Sequence, residues 1–343
     1  MAEVYSLPQL GWRHYFQQQL TMEELESYTI ARVVGQERGE VQLQTRLGRL
    51  LLPHSPSIPA MIVGDWLLLE TEGRFVRLLE RFSLLSRKAA GSRVTTQLIA
   101  ANIDSLFIVS SMNQDFNLNR LERYLSLAHE SGIEPVILLT KPDLCEDPQS
   151  YLKQAEALGP LLQTLAVNSL EVDSVQQLEP WCSTGNTVAF LGSSGVGKSS
   201  LINTLLGNQQ QHTQGVRNDD DKGRHTTTNR SLHPLASGGV LLDTPGMREL
   251  QLTDCEDGVE ETFSDIVGLA SCCRFSDCRH QSEPGCAVRE AITTGTVTER
   301  RLKSYTKLMR EQALNKATLA EKRAADRKFG RYIRSVINSK RRE

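Results

Sequence analysis

The sequence has no apolar run long enough to cross a membrane, since a spanning helix needs about 20 consecutive apolar residues. Residues 1–19 lack the apolar core of a secretory signal, so we expect a protein that is not exported. Internal repeats and low-complexity tracts are absent, and aromatic residues make up only 6% of the 343 residues. With 39% hydrophobic and 23% charged residues, the composition excludes collagen-like, coiled-coil and wholly disordered proteins. We therefore expect a cytoplasmic, monomeric globular protein with no membrane partner.

The net charge of the whole chain is only −2, but the charge is distributed unevenly between the C-terminal tail and the rest of the chain. Residues 300–343 hold 15 Lys or Arg against 4 Asp or Glu, so this tail carries +11 and the remainder −13. A basic tail on an acidic body is typical of an arm that binds a polyanion, although a solvated helical face has the same composition. The residues expected to contact the phosphates of such a polyanion are Arg323, Arg327, Lys328, Arg331 and Arg334.

The length suggests two or three domains, and changes of pattern divide the chain into four parts. Residues 1–27 predict a helical extension with a capping-box pattern that begins at Thr21. Residues 28–93 predict five short strands, which favour a small β-barrel of the oligonucleotide-binding (OB) type. The arginines of these strands would suit a nucleic-acid surface, and a barrel that serves only as a spacer is the alternative. These strands are Tyr28–Val34, Glu40–Leu47, Arg49–Leu52, Asp65–Glu70 and Phe75–Leu79.

Residues 94–250 predict an α/β domain, because apolar strands there alternate with helical patterns, as in a parallel sheet covered on both faces. Its strands are expected at Ser105–Ser110, Pro135–Leu139, Thr164–Val167, Thr187–Leu191 and Gly239–Leu242. Residues 251–343 are first rich in cysteine and then basic and helical. We therefore expect a multidomain protein with an N-terminal barrel, a central α/β domain and a C-terminal helical domain.

One segment matches the phosphate-binding loop G-x-x-x-x-G-K-[ST] in full and stands between an apolar strand and a helix, as the motif requires. Its glycines allow a tight path whose N–H groups point at phosphate oxygens, and the following helix adds the positive end of its dipole. Lys198 is expected to reach the β- and γ-phosphates, and the Ser199 hydroxyl to bind Mg²⁺. The predicted loop residues are Gly192, Ser193, Ser194, Gly195, Val196, Gly197, Lys198, Ser199 and Ser200.

A second motif, Asp243-Thr-Pro-Gly246, ends the next apolar strand. Its carboxylate is placed to hold Mg²⁺ through water, and Gly246 lets a backbone N–H approach the γ-phosphate. The segment Gly223-Arg-His-Thr-Thr-Thr lies between the two motifs, and we interpret it as a nucleotide-sensing switch. One of its three threonines is expected to complete the Mg²⁺ shell; Thr227 is the candidate, and the choice among the three stays open.

A third motif predicts recognition of guanine. In Thr140-Lys-Pro-Asp143, at the end of an apolar strand, the Asp143 carboxylate is placed to accept hydrogen bonds from guanine N1–H and N2–H, which adenine does not offer. Lys141 is expected to lie along the base and brace the phosphate loop. The nucleotide-binding residues of this region are Thr140, Lys141, Pro142 and Asp143, together with Asn168 and Ser169 at the next strand end.

The order of these motifs is unusual, because the base-reading residues precede the phosphate loop, whereas in ordinary GTPases they come after it. A circular permutation keeps every strand in the sheet and moves only the chain ends. The γ-phosphate-sensing motif then closes the GTPase domain and runs directly into the cysteine-rich region.

Three cysteines and one histidine are crowded within 14 residues: Cys273, Cys278, His280 and Cys286. Three thiolates and an imidazole are a standard closed set for one structural zinc ion. The spacings are not of the common C-x₂-C type, and the adjacent Cys272 is an alternative to Cys273. Four protein ligands leave no open position, which disfavours a catalytic metal.

Taken together, the motifs T-K-x-D, G-x-x-G-x-G-K-S-S, G-R-H-T-T-T, D-T-P-G and C-x₄-C-x-H-x₅-C resemble those of the ribosome small-subunit-dependent GTPase A (RsgA) family over nearly the whole chain. The resemblance implies a circularly permuted GTPase that binds the small (30S) ribosomal subunit and its rRNA. It implies slow GTP hydrolysis that the subunit stimulates, and a role late in subunit maturation. It also implies that Cys273, rather than Cys272, joins the other three zinc ligands.

Met247 comes directly after the Asp243–Gly246 motif, at the position where many GTPases carry a water-orienting Gln. A thioether cannot orient water, so intrinsic hydrolysis is expected to be slow. Our hypothesis is that His225 supplies this role once the ribosome orders the switch, with a solvent-exposed loop histidine as the alternative.

Two other functions compete with this interpretation. The first is a permuted GTPase that acts on the large subunit, which the N-terminal barrel and C-terminal metal cluster disfavour. The second is a zinc-stabilised RNA-binding module whose nucleotide site is only structural.

Overall fold

The structure is a computed structural model that describes residues 4–37, 39–88, 96–207, 231–243 and 255–316. Within these ranges no helix is both long enough and apolar enough to cross a bilayer.

The described part of the N-terminal extension forms a 3-10 helix at Pro8–Leu10 and two short α-helices, α1 (His14–Gln17) and α2 (Met22–Ser27). The predicted capping box is confirmed, because the Thr21 hydroxyl accepts the Glu24 N–H at 3.1 Å and the Glu24 carboxylate accepts the Thr21 N–H at 2.9 Å. The same carboxylate accepts a hydrogen bond from Arg77 Nε at 2.9 Å, which ties α2 to the strands of the N-terminal region. This interaction and the helix cap lower the pKa of Glu24 to about 2.

Five strands come next, at the predicted places: β1 (Thr29–Glu37), β2 (Glu40–Thr45), β3 (Gly48–Pro53), β4 (Trp66–Leu69) and β5 (Phe75–Leu78). All pairings among them are antiparallel: β1 pairs with both β2 and β4, β2 with β3, and β4 with β5. The pairings within the described ranges include none between β3 and β5, so the closed OB barrel stays a prediction.

The hairpin of β6 (Leu84–Lys88) and β7 (Thr96–Ala101) lies across the predicted boundary between residues 93 and 94. Strand β1 also pairs with a later strand, β12 (Ser231–Pro234), through Gly35 and Ser231. The N-terminal strands are therefore joined to the central sheet by backbone pairing.

The predicted α/β sheet is confirmed. Its strands are β8 (Ser105–Ser111), β9 (Glu134–Thr140), β10 (Gln163–Val167), β11 (Thr187–Gly192), β12 and β13 (Val240–Asp243). They lie in the order β10-β9-β8-β11-β13-β12, with all neighbours parallel except β12, which is antiparallel to β13. The helices of this region are α3 (Leu118–Glu130), α4 (Pro148–Glu156), α5 (Val172–Gln176) and α6 (Lys198–Leu205).

Strands β8 and β11 are buried along their whole length, as expected for a sheet covered on both faces. Because the strands run parallel, the carboxyl ends of β8, β9, β10, β11 and β13 meet at one edge. All predicted nucleotide-binding motifs in the described ranges lie directly after these ends.

The C-terminal region forms helices α7 (Glu256–Thr262), α8 (Ser264–Ala270), α9 (Ala287–Thr293) and α10 (Glu299–Lys316). Helix α7 packs closely on α3: a Cβ added at Gly258 would lie only 2.1 Å from the Ser126 carbonyl oxygen. The C-terminal helices therefore pack directly on the central α/β domain.

A buried ion-pair cluster reinforces this contact. The Glu122 carboxylate on α3 is fully buried and accepts hydrogen bonds from Arg300 at 2.9 Å and Arg301 at 3.1 Å. Arg301 also pairs with Asp265 at 2.7 Å. Burial disfavours the charged form of Arg301, but the two carboxylates outweigh it and hold its pKa above the ordinary value.

We expect Glu122→Gln to destabilise the protein strongly, because it leaves Arg300 and the buried Arg301 short of a negative partner. Removing one member of a buried ion pair costs about 3–5 kcal/mol of unfolding free energy. Because Arg301 keeps its ion pair with Asp265, we expect a loss at the lower end, about 3 kcal/mol. Urea denaturation measures it. The matched control is Glu299→Gln, which removes the exposed partner of Arg289 and should cost less than about 1 kcal/mol. Equal losses in the two variants would contradict this assignment.

Candidate nucleotide site and metal centre

The predicted phosphate loop connects the end of β11 to the start of α6. Three of its residues are glycines with positive φ: Gly192 at +154°, Gly195 at +81° and Gly197 at +95°. A Cβ added at Gly192 would lie 2.2 Å from the Val109 carbonyl oxygen, whereas one added at Gly195 would meet nothing within 4 Å. Gly192 is therefore required by both packing and backbone conformation, and Gly195 by backbone conformation alone.

Lys198 is the first residue of α6, and its ammonium group folds back over the loop. Its Nζ donates to the Gly192 carbonyl at 2.7 Å and to the Ser193 carbonyl. The ammonium therefore lies inside the loop, at the positive end of the α6 dipole, where an anion is favoured.

The structure brings the end of β9 against this loop. Thr140 is fully buried, and its hydroxyl lies 2.6 Å from the Val196 carbonyl oxygen. Lys141 adopts a left-handed conformation with φ of +61°, and its Nζ donates to the Gly195 carbonyl at 2.9 Å. The bracing of the phosphate loop that the sequence predicts for Lys141 is therefore present in the structure.

Pro142 and Asp143 lie in a short 3-10 helix, Pro142–Leu144, directly after Lys141. The Asp143 side chain is exposed to solvent, as a group that reads an incoming base must be. Thr140 and Lys141 thus touch the loop, and Asp143 follows Lys141 by two residues.

The end of β10 also adjoins the phosphate loop. The Thr204 hydroxyl of α6 donates to the Ser169 carbonyl at 2.9 Å, and a Cβ at Gly197 would lie 3.4 Å from Ser169 Oγ. Asn168 shapes its own turn, since its side-chain amide donates to Glu171 at 2.7 Å. Asn168 and Ser169 therefore stand beside the start of α6.

Asp243 is the last residue of β13, which runs parallel to β11, so its half-buried carboxylate lies at the same sheet edge as the loop. In the sheet, Ser231 of β12 is the backbone partner of Asp243. The Ser231 hydroxyl lies 2.8 Å from His233 Nε2. Burial lowers the pKa of His233, although the nearby Asp243 opposes the shift.

Several predicted residues lie outside the described ranges, and their roles stay predictions. They are His225, Thr227, Gly246 and Met247, and the basic residues Arg323, Arg327, Lys328, Arg331 and Arg334.

Sequence reasoning missed one residue of α3 that contacts the phosphate loop: Arg120 donates to the Ser193 hydroxyl. Burial raises the pKa of Tyr124, one turn later on α3, and the nearby Ser193 opposes this shift. One signal was present in the sequence: an arginine in the first turn of a helix opposes the helix dipole and calls for a local explanation.

The four predicted metal ligands come together between α8 and α9. The ligand atoms of Cys273, Cys278, His280 and Cys286 all lie within 4.8 Å of one another. His280 is in the left-handed conformation with φ of +58°, which turns its ring into the cluster. This group could hold one metal ion, whereas the exposed Cys272 bonds to the Gly268 carbonyl instead.

Comparison with known proteins agrees with this geometry. The family model described as RsgA GTPase matches residues 78–253. The small ribosomal subunit biogenesis GTPase RsgA 2 of Vibrio parahaemolyticus is 56% identical over 335 residues, which cover 98% of this chain and 94% of that relative. The chain belongs to the RsgA GTPase family. It is accordingly a GTP hydrolase.

Further relatives support the same RsgA membership. The small ribosomal subunit biogenesis GTPase RsgA of Mesorhizobium japonicum is 45% identical, with 95% of each chain covered. Among solved structures, YjeQ from Thermotoga maritima is 25% identical with a TM-score of 0.63, covering 83% of this chain and 99% of that one. The solved structure of YloQ, described as a circularly permuted GTPase, shares the fold with a TM-score of 0.61, at 24% identity, and covers 85% of this chain and 97% of that one.

The permutation is confirmed in this RsgA GTPase. Strand β9, which carries the predicted base-reading residues, precedes β11 in the chain and yet lies near it in the sheet, separated only by β8. The sheet is continuous across the site although the motifs are reordered.

We expect Gly192→Ala to destabilise the folded state of this RsgA GTPase more than Gly195→Ala does. Alanine at 195 costs only the strain of a positive φ, about 1 kcal/mol, while alanine at 192 also places a methyl group against the Val109 carbonyl and displaces β11 or β8. Thermal unfolding measures both variants. A Gly195→Ala protein less stable than Gly192→Ala would contradict this.

Proposed function

We propose that this RsgA GTPase binds the small ribosomal subunit and its rRNA, assists late maturation of the subunit, and hydrolyses GTP slowly until the subunit stimulates it. The names of the RsgA relatives support the partner. The observation that carries the enzymatic part is the contact of Thr140 and Lys141 with the phosphate loop, because it joins the base-reading and phosphate-binding motifs in one site.

Within this site we assign guanine recognition to the exposed Asp143, with Lys141 along the base and Asn168 and Ser169 behind it. Lys198 would leave the two loop carbonyls and bind the β- and γ-phosphates.

Mg²⁺ would accompany GTP, held by the Ser199 hydroxyl, by Asp243 through water, and by Thr227 of the switch. Gly246 would offer its N–H to the γ-phosphate, and His225 would orient the attacking water.

For the metal centre we propose one structural zinc ion. With Zn–S bonds of about 2.3 Å, the edge of a regular tetrahedron is about 3.8 Å. The Cys273–Cys286 sulfur distance is 3.8 Å, and His280 Nδ1 lies 3.6 Å from Cys273 Sγ and 3.4 Å from Cys286 Sγ. These three spacings match tetrahedral edges, and Cys278 Sγ lies within 4.8 Å of the other three ligand atoms, so three thiolates and one imidazole are available to the ion.

For the rRNA we propose two contact surfaces, the N-terminal OB-like strands and the basic tail that includes Arg323, Arg327, Lys328, Arg331 and Arg334. Both are electropositive in sequence, and polyanion binding of this kind weakens steeply with salt. The monomeric, cytoplasmic state is part of the same proposal.

Multiple-turnover GTP hydrolysis, measured alone, with small subunits and with large subunits, tests the function. We expect slow turnover alone, stimulation by small subunits only, and no stimulation in His225→Ala despite unchanged GTP affinity. Positioning a water contributes on the order of 10²–10⁴-fold to such rates. Stimulation by large subunits would favour that target instead. Binding of GTP without turnover under any condition would favour an RNA-binding module with a structural nucleotide.

Metal analysis of the purified protein is expected to give one zinc ion per chain. Cys278→Ser should lose most of the zinc and much of the stability, since structural zinc contributes directly to folding. The neighbouring Cys272→Ser is the matched control: its thiol lies outside the cluster, so zinc content and melting temperature should stay at wild-type values. Loss of zinc in Cys272→Ser alone would assign the fourth ligand to that residue.

A further inference from the structure

Helix α3 begins beside the phosphate loop and presents Arg120 to it. One arm of the guanidinium donates to the Ser193 hydroxyl. The other donates to the Asp115 carbonyl and lies 3.1 Å from the Asp115 carboxylate. The guanidinium is thus fixed by its own chain segment on one side and aimed at the loop on the other.

The stability of α3 does not account for an arginine at this place. Arg120 is the third residue of the helix, where the positive end of the helix dipole disfavours a cation. The first turn of α3 holds no acidic residue that would offset it. The Asp115 carboxylate, which precedes the helix, offsets part of the unfavourable interaction between Arg120 and the helix dipole. The other hydrogen bond of the Arg120 guanidinium is to Ser193 of the phosphate loop.

Ser193 is held at two of its atoms. Arg120 donates to its hydroxyl, and Lys198 Nζ donates to its carbonyl. Ser193 comes directly after Gly192, so these contacts fix the first half of the phosphate loop. A loop held in one conformation loses less conformational entropy when it binds a nucleotide.

We propose that Arg120 is a positioning residue for the nucleotide: it holds Ser193 and thereby keeps the phosphate loop in the conformation that receives the phosphates. It does not itself need to touch GTP. The proposal rests on GTP binding at this loop, a condition that nucleotide binding by the wild-type protein tests separately.

The test compares the full-length variants Arg120→Ala, Arg120→Lys and Ser193→Ala and the Arg120→Ala/Ser193→Ala double variant. Fluorescent GDP and GTP analogues report affinity without ribosomal subunits, and thermal unfolding reports the fold. The control is Arg123→Ala on the same helix, whose guanidinium pairs with Glu311 and not with the loop. Wild-type protein that bound neither nucleotide would refute the nucleotide site itself.

We expect Arg120→Ala and Ser193→Ala each to weaken both nucleotides by about three- to tenfold, the range of a charge-assisted hydrogen bond that is partly exposed. The double variant should bind no more weakly than the weaker single variant, since both changes break one contact. Arg120→Lys should recover part of the affinity, and Arg123→Ala should stay within about twofold of wild type.

Wild-type affinity in Arg120→Ala would overturn the proposal, and so would full additivity in the double variant. If Arg120→Ala does not fold, Ser193→Ala and Arg120→Lys decide the question in the same assay. Equal losses of affinity in Arg123→Ala and Arg120→Ala would show that both act only through the stability of α3, which also overturns it.

Discussion

The site depends on one contact, between the carboxyl end of β9 and the phosphate loop. The buried Thr140 hydroxyl bonds to the Val196 carbonyl, and Lys141 Nζ bonds to the Gly195 carbonyl. Without these two hydrogen bonds, the motif predicted to read the base and the motif predicted to hold the phosphates would be separate features of the sheet edge. With them, the two predicted motifs lie side by side at the sheet edge.

Parallel pairing explains why this contact survives a reordered chain. The register of β9 on β8 and of β8 on β11 brings their carboxyl ends to one edge, whichever strand comes first in the sequence. A ligand site at such an edge depends on which strands are neighbours and not on how they are connected. The permutation alters only the connections, so that in this chain β13 precedes the helices that flank the Cys₃His cluster.

Much of the fold was predictable, because apolar strand runs and the loop glycines are dictated locally. The ends of β9, β11 and β13 can be read from buried runs that stop at polar motifs. The Cys₃His cluster was also predictable, since its four residues lie close together in the sequence. Contacts between distant segments were not: no local pattern links Arg120 to Ser193, or Glu122 to Arg300, because long-range side-chain pairs leave no periodic trace.

The buried Glu122 cluster has a mechanical consequence. Arg120 and Glu122 are two residues apart on α3, a rise of about 3 Å along the helix axis. Arg120 hydrogen-bonds the phosphate loop, and Glu122 forms ion pairs with Arg300 and Arg301 of α10. The C-terminal helices are therefore not free to rotate relative to the GTPase domain. A rotation must either break the ion pairs of Glu122 with Arg300 and Arg301 or move α3, and with it the contact of Arg120 with the phosphate loop.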